Sequence, residues 1–180
     1  MTIVEAIKQI LRLNPTARVL ACAPSNSAAD VIALRLSGLL KTHELLRFYA
    51  PSRGKGTVPP NLLPYTFVDR ESGLFSWPPQ VTARDYRVVV CTCLSAWFVG
   101  CSSFSHVFID EAGQATESEA MVVVKNKVTA STKLILSGDP KQLRPIVHSL
   151  IADELGLGVS YLERLMDSEA YQGSNDGSSG

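Results

Sequence analysis

Charge of one sign is what this sequence most conspicuously lacks. Its 17 Lys and Arg are matched by 17 Asp and Glu, a formal net charge of +0, so the broad basic surface that marks a nucleic-acid binder by composition is missing. Any grip on a phosphate backbone must be local. Cysteine is scarce as well. Cys22, Cys91, Cys93 and Cys101 stand in apolar surroundings, and their spacings match neither a zinc ribbon nor a paired CxxC, so they read as reduced core thiols of a cytosolic protein. His43, His106 and His148 are isolated and have no metal-ligand spacing. No apolar run is long enough to span a bilayer, and the N-terminus lacks the basic region, apolar core and cleavage site of a signal peptide. The expectation is a soluble cytoplasmic chain with no membrane partner.

What is present is a pattern of alternation. With 180 residues the chain can form one domain that buries roughly 70% of its unfolded surface. TIVEAIKQILRL places Ile3, Ala6, Ile7, Ile10 and Leu11 on one helical face, and Asn14-Pro15 stops it. ARVLACAP is an apolar run of strand length. The helix after it puts Val31, Ile32, Leu36, Leu39 and Leu40 together, with Ser27 and Asp30 at capping-box spacing. Three further apolar runs, YRVVVCTC, HVFIDE and TKLILSGD, read as strands buried on both faces. Between the last two lies a helix whose Thr116 and Glu119 also have capping-box spacing. LGVSYLERLM gives a short helix near the end. Strands alternating with helices imply an α/β domain with a mostly parallel sheet covered on both faces. From about residue 49 to 85 six prolines punctuate an irregular insertion, whose Tyr65, Phe75 and Trp77, beside Arg70, can stack on bases or anchor the loop to the core. The Gly/Ser-rich tail, 172–180, reads as disordered.

In such a sheet, ligands bind beyond the carboxyl ends of the strands. The residues falling there are Pro24, Ser25, Asn26 and Ser27; Thr92; Asp110 and Glu111; and Ser137, Gly138, Asp139 and Gln142. Two adjacent acids at a strand end suit nucleotide hydrolysis, the first holding hydrated Mg²⁺ and the second orienting and deprotonating a water. They equally suit the dipole at the start of a helix. Likewise the Pro-Ser-Asn segment can be a helix cap or a contact to a strand backbone.

The company these segments keep is specific. VFIDEAGQA followed by LILSGDPKQLRP, with LACAPSNSAAD upstream, resembles the superfamily 1 helicases in motif sequence and order. With VEAIKQI, RFYAPSR and SYLERLM added, the chain most resembles the up-frameshift-type branch. Within that branch it is similar to the Armitage-like RNA helicases linked to small-RNA silencing and messenger RNA turnover, over nearly the whole chain to about Tyr171.

The resemblance implies a RecA-like P-loop NTPase fold, with residues 1–171 as part of the first of two such domains. It implies ATP and Mg²⁺ as cofactors, with Mg²⁺ held through water by Asp110, water activation by Glu111, and sensing of the terminal phosphate by Gln142 in the same nucleotide site as Asp139. It further implies RNA contacts from Pro24, Ser25, Asn26 and Thr92. Silencing or mRNA-decay proteins are the partners it suggests, with the second RecA-like domain supplying arginine fingers. No GxxxxGK segment followed by Ser or Thr occurs in the sequence; Gly54-Lys55 lies in the irregular insertion and is followed by Gly56. In the family that phosphate loop precedes the helix resembling TIVEAIKQI, so the expectation is a domain cut before its phosphate loop and inactive alone. Arg144 stands where many relatives are expected to carry glycine. Two other readings compete: a helicase-derived RNA- or protein-binding scaffold without catalysis, and an unrelated α/β phosphotransfer domain.

Overall fold

A computed structural model of the chain describes residues 2–79, 86–100, 103–139 and 141–172. Cys101, the end of the irregular insertion and the tail beyond residue 172 lie outside the described residues. The sheet has five strands, β1 (Val19–Ala23), β2 (Leu45–Arg47), β3 (Val88–Thr92), β4 (His106–Ile109) and β5 (Lys133–Leu136), in the order β2-β3-β1-β4-β5. Every pairing is parallel. Four strands sit where the apolar runs place them. β2 is the addition: a three-residue strand is too short to show a period, and the sequence pattern assigns no element there.

The alternation of side chains along each strand divides the core between the two faces. Val19, Ala21 and Ala23 of β1 face one side with Val88, Val90 and Phe108. There they meet α1 (Thr2–Leu13), through Ile3, Ile7 and Leu11, and α2 (Asn26–Ser37), through Ile32, Ala33 and Leu36. Leu20 and Cys22 face the other side with Val89, Cys91, Val107 and Ile109. That face is covered by Ala96 of a short 3₁₀ turn and by Ala120 and Val123 of α3 (Glu117–Lys127). Cys22, Cys91 and Cys93 are buried free thiols, as expected. Burial pushes the Cys22 and Cys93 thiols up, out of reach of thiolate chemistry.

Two helix details differ from the sequence pattern. Val31 is exposed because α2 turns Ala29, Asp30 and Ala33 inward instead, and Leu39 is exposed because the helix ends before it, at Ser37. The cap of α2 is Ser25, whose hydroxyl accepts from Ala28 N at 3.1 Å, and Asp30 is drawn away from the helix start by Arg47 at the end of β2 and by Tyr49 just after it. The box at Thr116 and Glu119 forms as its spacing predicts. Within the insertion, 3₁₀ turns at Lys55–Thr57 and Pro60–Tyr65 bring Leu62 into the core. Its aromatics are anchors rather than exposed platforms: Phe75 is buried against Tyr49, Trp77 meets the edge of Phe48, and Tyr65 donates to Ser37 O at 2.9 Å. Beyond β5 the described residues form three short helices, α4 (Leu150–Glu154), α5 (Tyr161–Met166) and α6 (Glu169–Gln172); of these, the second stands out in the sequence. No helix among the described residues is long and apolar enough to cross a membrane.

Candidate active site at the carboxyl edge of the sheet

Because all five strands run the same way, the segments after β1, β3, β4 and β5 emerge on one edge. Asp110 continues the β4 ladder, its N–H donating to Cys22 O at 2.8 Å. Its side chain is half-buried, and Oδ1 accepts from Ser137 Oγ at 2.5 Å, which ties the end of β4 to the end of β5. The other carboxylate oxygen accepts no bond among the described residues. Two backbone bonds reinforce the tie, Ser137 N to Ile109 O at 2.9 Å and Ala112 N to Ser137 O at 2.8 Å. This close approach leaves no room at Gly138: a Cβ there would stand 2.9 Å from Ala112 N and 3.0 Å from Gly113 N.

Glu111 turns out of the strand with φ +52, the one non-glycine residue with positive φ among those described. An L-residue pays a steric penalty in that region. The turn places its Oε2 within 3.0 Å of Gln114 Nε2, which donates to it. Gln114 also lines a cleft of about 400 Å³ together with Pro24, Ser25, Thr116, Arg144 and Ile146. One carboxamide therefore touches both the second acid and a cleft walled by the Pro-Ser segment after β1.

The remaining candidates divide. Asp139 serves its own turn: its carboxylate accepts from Lys141 N at 2.9 Å and from Gln142 Nε2 at 3.2 Å. Gln142 is exposed, and neither it nor Asp139 bonds to Asp110 or Glu111 among the described residues. Thr92 Oγ1 is half-buried and engaged with Ser95, donating to its hydroxyl at 2.7 Å and accepting from its N–H at 3.2 Å. Ser25 is committed to its cap but exposed. Asn26 is half-buried, with its Oδ1 accepting from Arg47 Nη2 at 3.0 Å. Sequence reasoning passes over Arg47 and Gln114. A basic residue inside the apolar run LLRFYA is the signal that points to the first; a Gln three residues after an acid is too common to point to the second.

The donor set suits a hard cation bound chiefly through water. Mg²⁺ keeps several waters and needs only one or two carboxylates beside substrate phosphates, and Asp110 offers one free carboxylate oxygen beside a hydroxyl. Among the described residues no group of three or more His, Cys, Asp or Glu gathers to hold a metal.

Comparison with known proteins places these segments in a lineage. Residues 80–150 match the model of a family described as an AAA domain. The chain is 42% identical to the putative helicase mov-10-B.1 of Danio rerio over 98% of its own length and 18% of the relative's. It is 39% identical to the RNA helicase Mov10l1 of Homo sapiens, over 96% of the chain and 14% of that protein. It is 33% identical to the probable RNA helicase armi of Drosophila melanogaster, over 96% and 16% respectively. The chain thus spans less than a fifth of the length of each of these three relatives.

Proposed function

Because this chain belongs to the same family as the Mov10 and Armitage helicases, we propose that residues 1–171 form part of the first RecA-like domain of an ATP-dependent RNA helicase. The full-length protein couples ATP hydrolysis to movement along RNA, in the cytoplasm, in small-RNA silencing or messenger RNA turnover. The observation that carries this reading is the acid pair at the ligand edge, with Asp110 fixed to β5 through Ser137.

In this reading Asp110 holds the waters of Mg²⁺ with its free carboxylate oxygen, while Ser137 keeps the carboxylate in one orientation. A bound Mg²⁺ neutralises charge on the ATP phosphates. Glu111 orients the attacking water and takes its proton. Gln142, exposed on the turn shaped by Asp139, is free to swing toward a terminal phosphate and donate to it. Pro24, Ser25 and Asn26 face the RNA, and Thr92 acts there by shaping the β3 end through Ser95. The phosphate loop and arginine fingers belong to other parts of the full-length protein in this reading.

The test uses the full-length protein. Glu111→Gln keeps shape and removes the base, so ATP and RNA affinities stay near wild type while RNA-stimulated turnover falls roughly 10²- to 10⁴-fold. Unchanged turnover in that variant, or no turnover by the wild type with any RNA, rejects the enzyme in favour of a binding scaffold.

A further inference from the structure

Arg47 ends β2 with no solvent exposure, and a fixed positive charge in that position demands a partner for every donor. All five N–H bonds find one. Nε donates to Asp30 Oδ1 at 2.7 Å. Nη1 donates to Phe48 O at 2.7 Å and, at the 3.5 Å limit, to Val90 O. Nη2 donates to Asn26 Oδ1 at 3.0 Å and Asn26 O at 3.4 Å. Tyr49 completes the group, its hydroxyl donating to the same Asp30 oxygen at 2.7 Å and its ring centroid lying 3.9 Å from the guanidinium carbon.

Guanidinium has donors and no acceptor, which settles the orientation of Asn26. Its oxygen has to face Arg47, because the amide nitrogen in that place would set donor against donor. Nδ2 is left outward, at the first residue of α2 on the ligand edge, with no bond among the described residues. Asp30 balances the charge of Arg47, so Arg47 itself contributes little long-range attraction for an anion.

We propose that Arg47 is a positioning residue that holds the Asn26 carboxamide with its nitrogen outward, so that this edge presents a hydrogen-bond donor to a phosphate oxygen of the RNA backbone. The proposal rests on the reading of Asn26 as an RNA contact. A phosphate oxygen can only accept; an Asn free to turn over would present the wrong atom part of the time. Arg47 removes that freedom from beneath, without touching the RNA.

The experiment is a double-mutant cycle in the full-length protein, reading the Kd for a fluorescein-labelled single-stranded oligouridylate by anisotropy, with melting temperatures recorded alongside. Asn26→Ala and Arg47→Lys each weaken binding about three- to tenfold, the worth of one hydrogen bond. The double variant binds within about twofold of Asn26→Ala, since Arg47 acts only through Asn26. Tyr49→Phe removes a bond to the same Asp30 oxygen but leaves Asn26 untouched; it lowers the melting temperature and leaves Kd within about twofold.

Losses that multiply in the double variant overturn the proposal, as does a loss in Tyr49→Phe equal to that of Arg47→Lys. No effect of Asn26→Ala removes the RNA-contact reading itself, and the proposal with it. Should Arg47→Lys fail to fold, Arg47→Gln combined with Asp30→Asn, which removes both buried charges together, replaces it in the cycle. A three- to tenfold loss that disappears on the Asn26→Ala background supports the proposal, and binding within about twofold of wild type overturns it.

Discussion

The left-handed backbone at Glu111 is held by its neighbours against the preference of its own Cβ. Ala112 N is anchored to Ser137 O, and Gly138 lets the two strand ends close up, so the φ of +52 is imposed from both sides. Glu111→Gly should therefore be more stable than Glu111→Ala by about 1 kcal/mol, the cost of αL for an L-residue. Equal urea midpoints would mean that no strain is stored there. Gly138→Ala runs the other way: its methyl meets backbone rather than a movable side chain, and a loss of about 1–3 kcal/mol is expected, read in the same denaturation assay. His106 carries a pH dependence. Burial, and then Lys133, hold its pKa below the ordinary 6.5, so the unfolded chain takes up its proton first as pH falls. Stability is then lost from about pH 6.5 downward until the folded His also protonates. In His106→Gln that part of the pH profile should vanish. The acid pair is legible in the sequence because adjacency after an apolar run survives without coordinates. The bonds of Arg47 are not, because its partners Asn26, Asp30 and Val90 come from two other elements.

Where an element begins was readable when the signal was local and reciprocal. Thr116 and Glu119 satisfy each other, the threonine hydroxyl accepting from Glu119 N at 3.3 Å and Glu119 accepting from Thr116 N at 2.9 Å. Thr116→Ala should cost about 1 kcal/mol, visible as a shifted thermal midpoint. Ser27 and Asp30 have the same spacing, yet Ser25 takes the cap and Asp30 goes inward to Arg47 and Tyr49. A buried cation outbids a helix end for a carboxylate. β2 escaped for a different reason: its three residues are strand only because Leu45, Leu46 and Arg47 pair with Val88, Val89 and Val90, a contact that no window of local sequence contains. Within the insertion, Phe75 packs inward against Tyr49, a partner outside any local window, so its aromatics could not be assigned from spacing.

At the scale of the molecule, the segment after Gln142 carries an unusual load of exposed apolar surface. Leu143, Ile146, Leu150, Ile151 and Leu155 are 71–83% exposed, on a stretch that follows the least buried strand of the sheet, β5. Surface of that kind favours association. The isolated chain should self-associate at micromolar concentration, and Leu150→Glu with Ile151→Lys should reduce the sedimentation-measured mass without lowering the melting temperature. The strand order has its own consequence for how the chain comes into being. Central β1 pairs Val19 with Val88 on one side and with His106 on the other, so neither neighbour exists when β1 leaves the ribosome. At roughly 5–20 residues per second, Leu20 and Cys22 wait on the order of ten seconds for partners. Through that interval the future centre of the sheet is a bare apolar strand, a natural client for a ribosome-associated chaperone, and synonymous codons that slow translation between β1 and β3 would lengthen its exposure.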